Sequence, residues 1–206
     1  MQRDEHWDHV YNTKESNAVS WYQPAPGASL TFLQAAGLNG HSCVIDVGAG
    51  DSRLVDALLD LGVTCVSVLD VSAAALSRTR QRLGDRAASV NWILADVTGD
   101  WSVPPVDFWH DRAVFHFLIA AADRRRYVEH LRRSLKPGGY GVIATFAPDG
   151  PSRCSGLPVA RYSPDSLVAE LGREFELQRS SVELHQTPTG TTQPFSYAVF
   201  RLARTY

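Results

Sequence analysis

The 206-residue sequence contains no apolar run long enough to span a bilayer and almost no charge excess. With 20 basic against 22 acidic side chains, its net charge of -2 offers no general attraction to phosphate backbones or anionic lipid. Neither nucleic acid nor a membrane is therefore an expected partner. The opening MQRDEHWDHVYNTKESNAVS is polar and lacks the apolar core of a signal peptide, so the expected location is cytoplasmic. Cysteine is scarce. Cys43, Cys65 and Cys154 show no C-x-x-C spacing, which argues against a zinc knuckle or a disulfide framework, and Cys43 and Cys65 read as buried hydrophobes inside strand-like runs. No compact set of histidines and carboxylates has metal-ligand spacing, so no metal is expected.

What is present is a regular alternation. The runs 42–48, 64–70, 90–96, 106–111 and 139–147 are short, rich in β-branched and aromatic residues, and barely alternate in polarity. Such strands belong to a parallel sheet covered on both faces. Helical stretches separate them: 52–62, a segment capped by Ser72 and stopped at Gly84, and one opening at Asp123 and ending before KPGG. In the last, Tyr127, Leu131 and Leu135 form an apolar stripe that leaves Arg124, Arg125, Arg132 and Arg133 outward. After a further helix capped by Ser163, the strands 175–185 and 195–204 follow one another without a helix between them, which makes an antiparallel hairpin. The expected architecture is one domain over residues 1–206, an α/β doubly wound and mostly parallel sheet closed by that hairpin, with 1–40 as a lid over a core at 41–206.

The segment VIDVGAGDS, 44–52, is a strand running into a helix through closely spaced glycines, as beneath a bound nucleotide. A dinucleotide fingerprint would have a third glycine where Arg53 stands, and no G-K-S/T follows, so NAD and P-loop readings are disfavoured. Three carboxylates, Asp46, Asp70 and Asp96, fall at the carboxyl ends of the first three strands, where open α/β sheets bind ligands. A ligand with an amino group, a ribose diol and an adenine amine would use all three.

Here the sequence resembles the class I S-adenosylmethionine-dependent methyltransferases over nearly its whole length, through VIDVGAGDS, VLDVS, LADVT, LKPGGYGVIATF and the terminal hairpin. The resemblance implies that Asp46, Gly48, Ala49 and Gly50 line the methionine end of the cofactor. It also implies that Asp70, with Val71 beside it, accepts from the ribose hydroxyls, and that Asp96 with Val97 holds the adenine edge. Ser52 stands where the family motif often has a third glycine.

Substrate residues are then expected around the end of the fourth strand, DFWHDRAVFHFL. Asp111 and Arg112 are the candidate catalytic pair, Asp111 orienting the sulfonium or a substrate cation and Arg112 holding an anionic substrate; His116 would lie a turn further on. The alternative is a structural Asp111–Arg112 ion pair with His110 and His116 as packing residues. Trp7, Tyr11, Trp21 and Tyr22 need a place to be buried, and the resemblance to lidded methyltransferases puts Trp7 over the cofactor and Trp21 and Tyr22 over the substrate. Cys154 would be a substrate-facing thiol with Arg153 lowering its pKa, or inert. A small-molecule acceptor of thiol, chalcogen or amine type is expected; the alternatives are a protein lysine methyltransferase, a silent adenosylmethionine-binding protein, and an NAD-linked reductase. The sequence leaves the oligomeric state open.

Overall fold

The computed structural model describes residues 3–204. Five parallel strands form the centre: β1 (Cys43–Val47), β2 (Cys65–Asp70), β3 (Val90–Leu94), β4 (Val106–Arg112) and β5 (Leu135–Phe146). Two tiny strands, β6 (Arg153–Cys154) and β7 (Leu157–Pro158), make a separate hairpin in the loop beyond β5. The long strands β8 (Phe175–Gln186) and β9 (Thr192–Leu202) then give the seven-stranded order β3-β2-β1-β4-β5-β9-β8, with β9 antiparallel to both of its neighbours. The order reverses between β1 and β4, which opens a crevice at the carboxyl ends of these strands.

Both sheet faces are buried, as the non-alternating strands require. Val44, Val66, Phe108 and Val142 point to one core, shared with α2 (Gly27–Ala35), α3 (Leu54–Asp60) and α4 (Ala73–Leu83). Ile45, Leu69, Trp109 and Ile143 point to the other, shared with α5 (Ala121–Ser134) and α6 (Pro164–Leu171). Burying one such side chain contributes about 1.5–3 kcal/mol, so the two cores hold the strand ends in fixed register beneath the crevice.

Local signals account for two of the helix starts. Ser72 and Ser163 accept hydrogen bonds from Ala75 N (3.1 Å) and Ser166 N (3.2 Å) as N-caps. Helix α5 starts two residues before the expected Asp123, after Ala120, which offers no side-chain cap. Asp123 instead stands in the first turn, where a carboxylate favours the helix dipole, and pairs with Arg3. Cys43 and Cys65 are not two separate buried hydrophobes: parallel register sets them side by side and they form a disulfide, with Cys65 exposed and Cys43 partly so. No helix of the described residues is long and apolar enough to cross a membrane.

The expected lid is a helix, α1 (Arg3–Thr13), followed by a short 3-10 turn (Ser16–Ala18) and α2. It is fastened at several points. Asp8 accepts from Ser72 Oγ (2.6 Å) and Ala74 N (3.1 Å) at the start of α4, Arg78 donates to the Lys14 carbonyl (2.9 Å), and Ser16 donates to Asp51.

Candidate active site

The turn after β1 is built by two glycines with positive φ, 60° at Gly48 and 56° at Gly50. Space demands glycine as well: a Cβ at 48 would lie 1.9 Å from Val114 Cγ2, and one at 50 would lie 2.2 Å from the Tyr11 hydroxyl. The turn thus presses against the loop after β4 on one side and the lid on the other. Asp70 ties it to β2, accepting from Gly50 N (2.7 Å) and Ser72 N (2.8 Å). Burial raises the Asp70 pKa from 3.8 to about 6, against the lowering effect of those amides.

A cleft opens here between the strand ends and helix α1. Asp70, Val71, Asp96 and Val97 line one end; Trp7, Phe117 and Cys154 help to wall the rest, and Tyr11, Trp21, Gly48 and Arg112 are shared with a second cavity. Trp7 stands edge-on to Trp21 (5.7 Å) and Phe117 (5.1 Å), so the lid brings an aromatic roof over the cleft. Asp96 receives Thr98 N (2.8 Å) and Thr98 Oγ1 (2.7 Å), and Arg3 Nη1 donates to both its oxygens (3.2 and 3.0 Å). Burial pushes its carboxyl up, but Thr98 and Arg3 outweigh that and its pKa ends below the usual value. Arg3 therefore lies across the end expected to hold the adenine.

The second cavity adjoins the first and is lined by Tyr22, Ser29, Asp46, Ala49 and His110 among others. His110 Nδ1 lies 2.6 Å from Asp46 Oδ1 and its Nε2 lies 2.8 Å from Ser29 Oγ. The tautomer with its proton on Nδ1 donates to Asp46 and accepts from Ser29. The chain continues through Tyr197, whose hydroxyl is 3.4 Å from Ser29 and accepts from Arg112 Nε (3.1 Å). Arg112 also donates to the Trp21 carbonyl (2.9 Å) and lies over the Phe195 ring (4.6 Å).

Several sequence expectations are corrected by these positions. Asp111 is fully buried, lines neither cavity and makes no ion pair with Arg112; it accepts from Val114 N (2.9 Å), Phe115 N (3.0 Å) and Tyr127 OH (2.7 Å). Burial raises its pKa to about 6. Its task is to hold the turn in which Ala113 adopts a φ of 75°, a conformation strained for a residue with a side chain. His116 is fully buried among Phe117, Phe146 and Phe195, outside both cavities, so it does not face a substrate. Its Nδ1 accepts from Phe146 N (3.3 Å), and burial, then Arg112, lowers its pKa to about 3. Cys154 does line the cleft, but burial raises its pKa to about 11 and Arg153 turns away to the Gly156 carbonyl, so it is a neutral wall and not a thiolate. Gly50 lines neither cavity; it serves through its amide on Asp70. His185 Nε2 lies 2.8 Å from the Ser20 carbonyl and secures the segment after the lid. The sequence reading missed Ser29, Tyr197 and Arg3, none of which stands in a motif. Among the described residues no group of histidines, cysteines and carboxylates could hold a metal ion.

A sheet of this order, with a glycine turn after β1 and acids at the ends of β1 and β2 and just beyond β3, defines the Rossmann-like fold of the class I methyltransferases. Residues 45–140 match the family model described as a methyltransferase domain. Among solved structures, one from work on the conversion of a disulfide bond into a thioacetal group during echinomycin biosynthesis matches at 22% identity, TM-score 0.79, over 98% of this chain and 94% of that one. The N-methyltransferase NodS from Bradyrhizobium japonicum WM9, in complex with S-adenosyl-L-homocysteine, matches at 17% identity, TM-score 0.71, over 96% and 98%. The 1,6-didemethyltoxoflavin-N1-methyltransferase of Burkholderia thailandensis matches at 19% identity, TM-score 0.68, over 94% and 81%. No curated protein matches the sequence significantly. Residues 45–140 are thus a methyltransferase domain, the chain as a whole has the fold of the S-adenosylmethionine-dependent methyltransferases, and S-adenosylmethionine is the cofactor that such a domain implies. The donor set fits: buried Asp70 on the cleft wall retains lone pairs beyond its two amides for a diol, and Asp96 and Asp46 stand on either side.

Proposed function

We propose that this methyltransferase acts on a small-molecule nucleophile of thiol, chalcogen or amine type. The observation that carries the reading is the roof: the chain's own helix α1 and the Trp7, Tyr11 and Trp21 rings stand over the cleft, so that side chains of this chain wall it. Bound S-adenosylmethionine supplies a methyl group made electrophilic by a sulfonium. Asp70 would orient it through the ribose, Asp96 and Val97 through the adenine, and Asp46 with its His110–Ser29 chain would face the amino-acid end. The aromatic roof excludes water and presents ring faces to positive charge.

The chamber offers no free base. Cys154 holds its proton, His116 lies outside, Asp96 pairs with Arg3, and Asp70 carries two backbone amides and would give its remaining lone pairs to the ribose. An acceptor must then be strongly nucleophilic without being deprotonated by the protein, as a weakly basic amine or the thiolate form of a thiol is and a neutral alcohol is not. Two of the similar structures, described as an N-methyltransferase and a didemethyltoxoflavin N1-methyltransferase, accord with an acceptor of this kind. The test is incubation with methyl-tritiated S-adenosylmethionine and a cell lysate, followed by separation into macromolecular and low-mass fractions. Label is expected in a low-mass or volatile product. Label confined to acid-precipitable, protease-sensitive material would replace this reading with a protein methyltransferase.

A further inference from the structure

Arg112, at the end of β4, lines both cavities together with Tyr11, Trp21 and Gly48, and its charge is poorly answered. Its partners are the Tyr197 hydroxyl and the Trp21 carbonyl, both uncharged, and the face of Phe195. Nη2 is buried without a hydrogen-bond partner, and among the described residues no carboxylate forms an ion pair with this side chain. Arg3, in the same cleft, is a contrast, since Asp96 and Asp123 both pair with it. A guanidinium withdrawn from water without a counter-ion is costly, and the cost is relieved when an anion enters.

The surroundings favour an anion further. His116, His185, Cys154 and Tyr197 all interact with Arg112; burial lowers the pKa of both histidines and raises that of the thiol and the phenol, so none of them answers its charge, and Glu183, which accepts from Gln23 and interacts with His185 and Tyr197 at the same wall, forms no ion pair with it. The guanidinium is also pre-positioned, because Tyr197 is tied through Ser29 and His110 to Asp46 on β1. A single planar guanidinium matches a carboxylate; a phosphate dianion would call for more donors than this wall provides.

We propose that Arg112 forms an anion subsite for the methyl acceptor, so that the acceptor carries a carboxylate alongside its nucleophilic atom. The inference rests on the small-molecule reading above and narrows it to acidic acceptors. Trp7, Trp21 and Phe117 then contact the apolar body of the acceptor while Arg112 fixes one end of it. Sequence reading pointed to Arg112 as an anion holder; the structure adds the unanswered charge and the hydrogen-bonded chain that aims it.

The experiment uses the full chain loaded with S-adenosylhomocysteine and two pairs of probes, 2-mercaptobenzoate and 3-mercaptopropionate, each against its methyl ester. Binding is measured by calorimetry, and methyl transfer from tritiated cofactor is measured in parallel. At least one free acid is expected to bind on the order of tenfold to a hundredfold more tightly than its ester. In Arg112→Gln that preference should vanish through weaker binding of the acid, while affinity for S-adenosylhomocysteine stays within about threefold. Equal binding of acid and ester, or no binding of either acid, overturns the proposal. So does an Arg112→Gln protein that loses S-adenosylhomocysteine as strongly as the acid, since that would assign Arg112 to the cofactor's own carboxylate. An acid preference at Arg112 with label going only to protein would instead retain the anion subsite and remove the small-molecule reading.

Discussion

Asp70→Asn separates the cofactor role of this carboxylate from its part in the fold. The native side chain accepts Gly50 N and Ser72 N on opposite oxygens and is pushed to a pKa of about 6 by burial. Raising a carboxyl from 3.8 to about 6 corresponds to roughly 3 kcal/mol of penalty for keeping it charged at neutral pH. The sign follows from linkage: the folded state binds the proton more tightly, so this group's contribution to stability is fullest below about pH 4 and is lost as pH rises through about 6. Asparagine removes the penalty but turns an amide NH2 toward one backbone N–H, a loss of about 1–3 kcal/mol. The two effects nearly offset, so the cofactor-free variant should melt within a few degrees of the wild type. Ribose hydroxyls, in contrast, exchange a charged acceptor for a neutral one at a cost of about 1.5–3 kcal/mol, or roughly tenfold to 150-fold in affinity. Calorimetry with S-adenosylhomocysteine at pH 7.5 measures this directly. The wild type should also bind about tenfold more weakly at pH 5 than at pH 8, because ionised Asp70 is the competent form, whereas the variant's affinity should hardly change with pH. An Asp70→Asn protein that is folded and binds within about threefold of wild type would refute the ribose assignment.

Three further outcomes follow from the same geometry. Tyr127→Phe removes the hydroxyl that donates to Asp111 and accepts from Trp109 Nε1, and should cost about 1–3 kcal/mol in urea denaturation while leaving cofactor affinity unchanged; a loss of affinity with no loss of stability would return Asp111 to the active site. Gly50→Ala should weaken S-adenosylhomocysteine binding strongly, and Tyr11→Phe in the same chain should recover part of the loss by removing the hydroxyl 2.2 Å from the new Cβ, giving a coupling of about 0.5–3 kcal/mol; strictly additive effects would mean that lid and turn do not meet. Cys154 should react with iodoacetamide at pH 8 on the order of a hundredfold more slowly than free cysteine, followed by mass spectrometry, because its pKa is raised to about 11; rapid labelling would revive it as a reactive thiol.

The strands of the main sheet, the terminal hairpin and the acids at the strand ends were legible in the sequence because each is a local pattern: non-alternating apolar runs, capped helices, and an acid where a strand meets a turn. Helix α1 was not, since its residues RDEHWDHVYNT have no sustained apolar stripe and only Val10 and Tyr11 are buried. Its stability comes from distant partners such as Ser72 and Ala74, which no short window contains. The disulfide escaped for the same reason, since 22 residues separate Cys43 from Cys65 and only the pairing of β1 with β2 brings them together.

The misreading of Asp111 has a sharper cause, and the sequence held the means to avoid it. Side chains alternate across a strand, so His110 and Arg112 must share one face of β4 and Asp111 must take the other. The register pairs Asp46 with His110 and Val47 with Asp111. On the first face His110 meets Asp46 and Ser29, and Arg112 reaches Tyr197 and Trp21 at the cleft. On the second face Asp111 turns into the core of α5, where Tyr127 and two backbone amides hold it. Asp70 and Asp111 are thus both buried acids at strand ends with pKa values near 6, yet Asp70 lines the cleft and Asp111 supports the turn beside it. Burial and a raised pKa mark both; only the face of the sheet tells them apart.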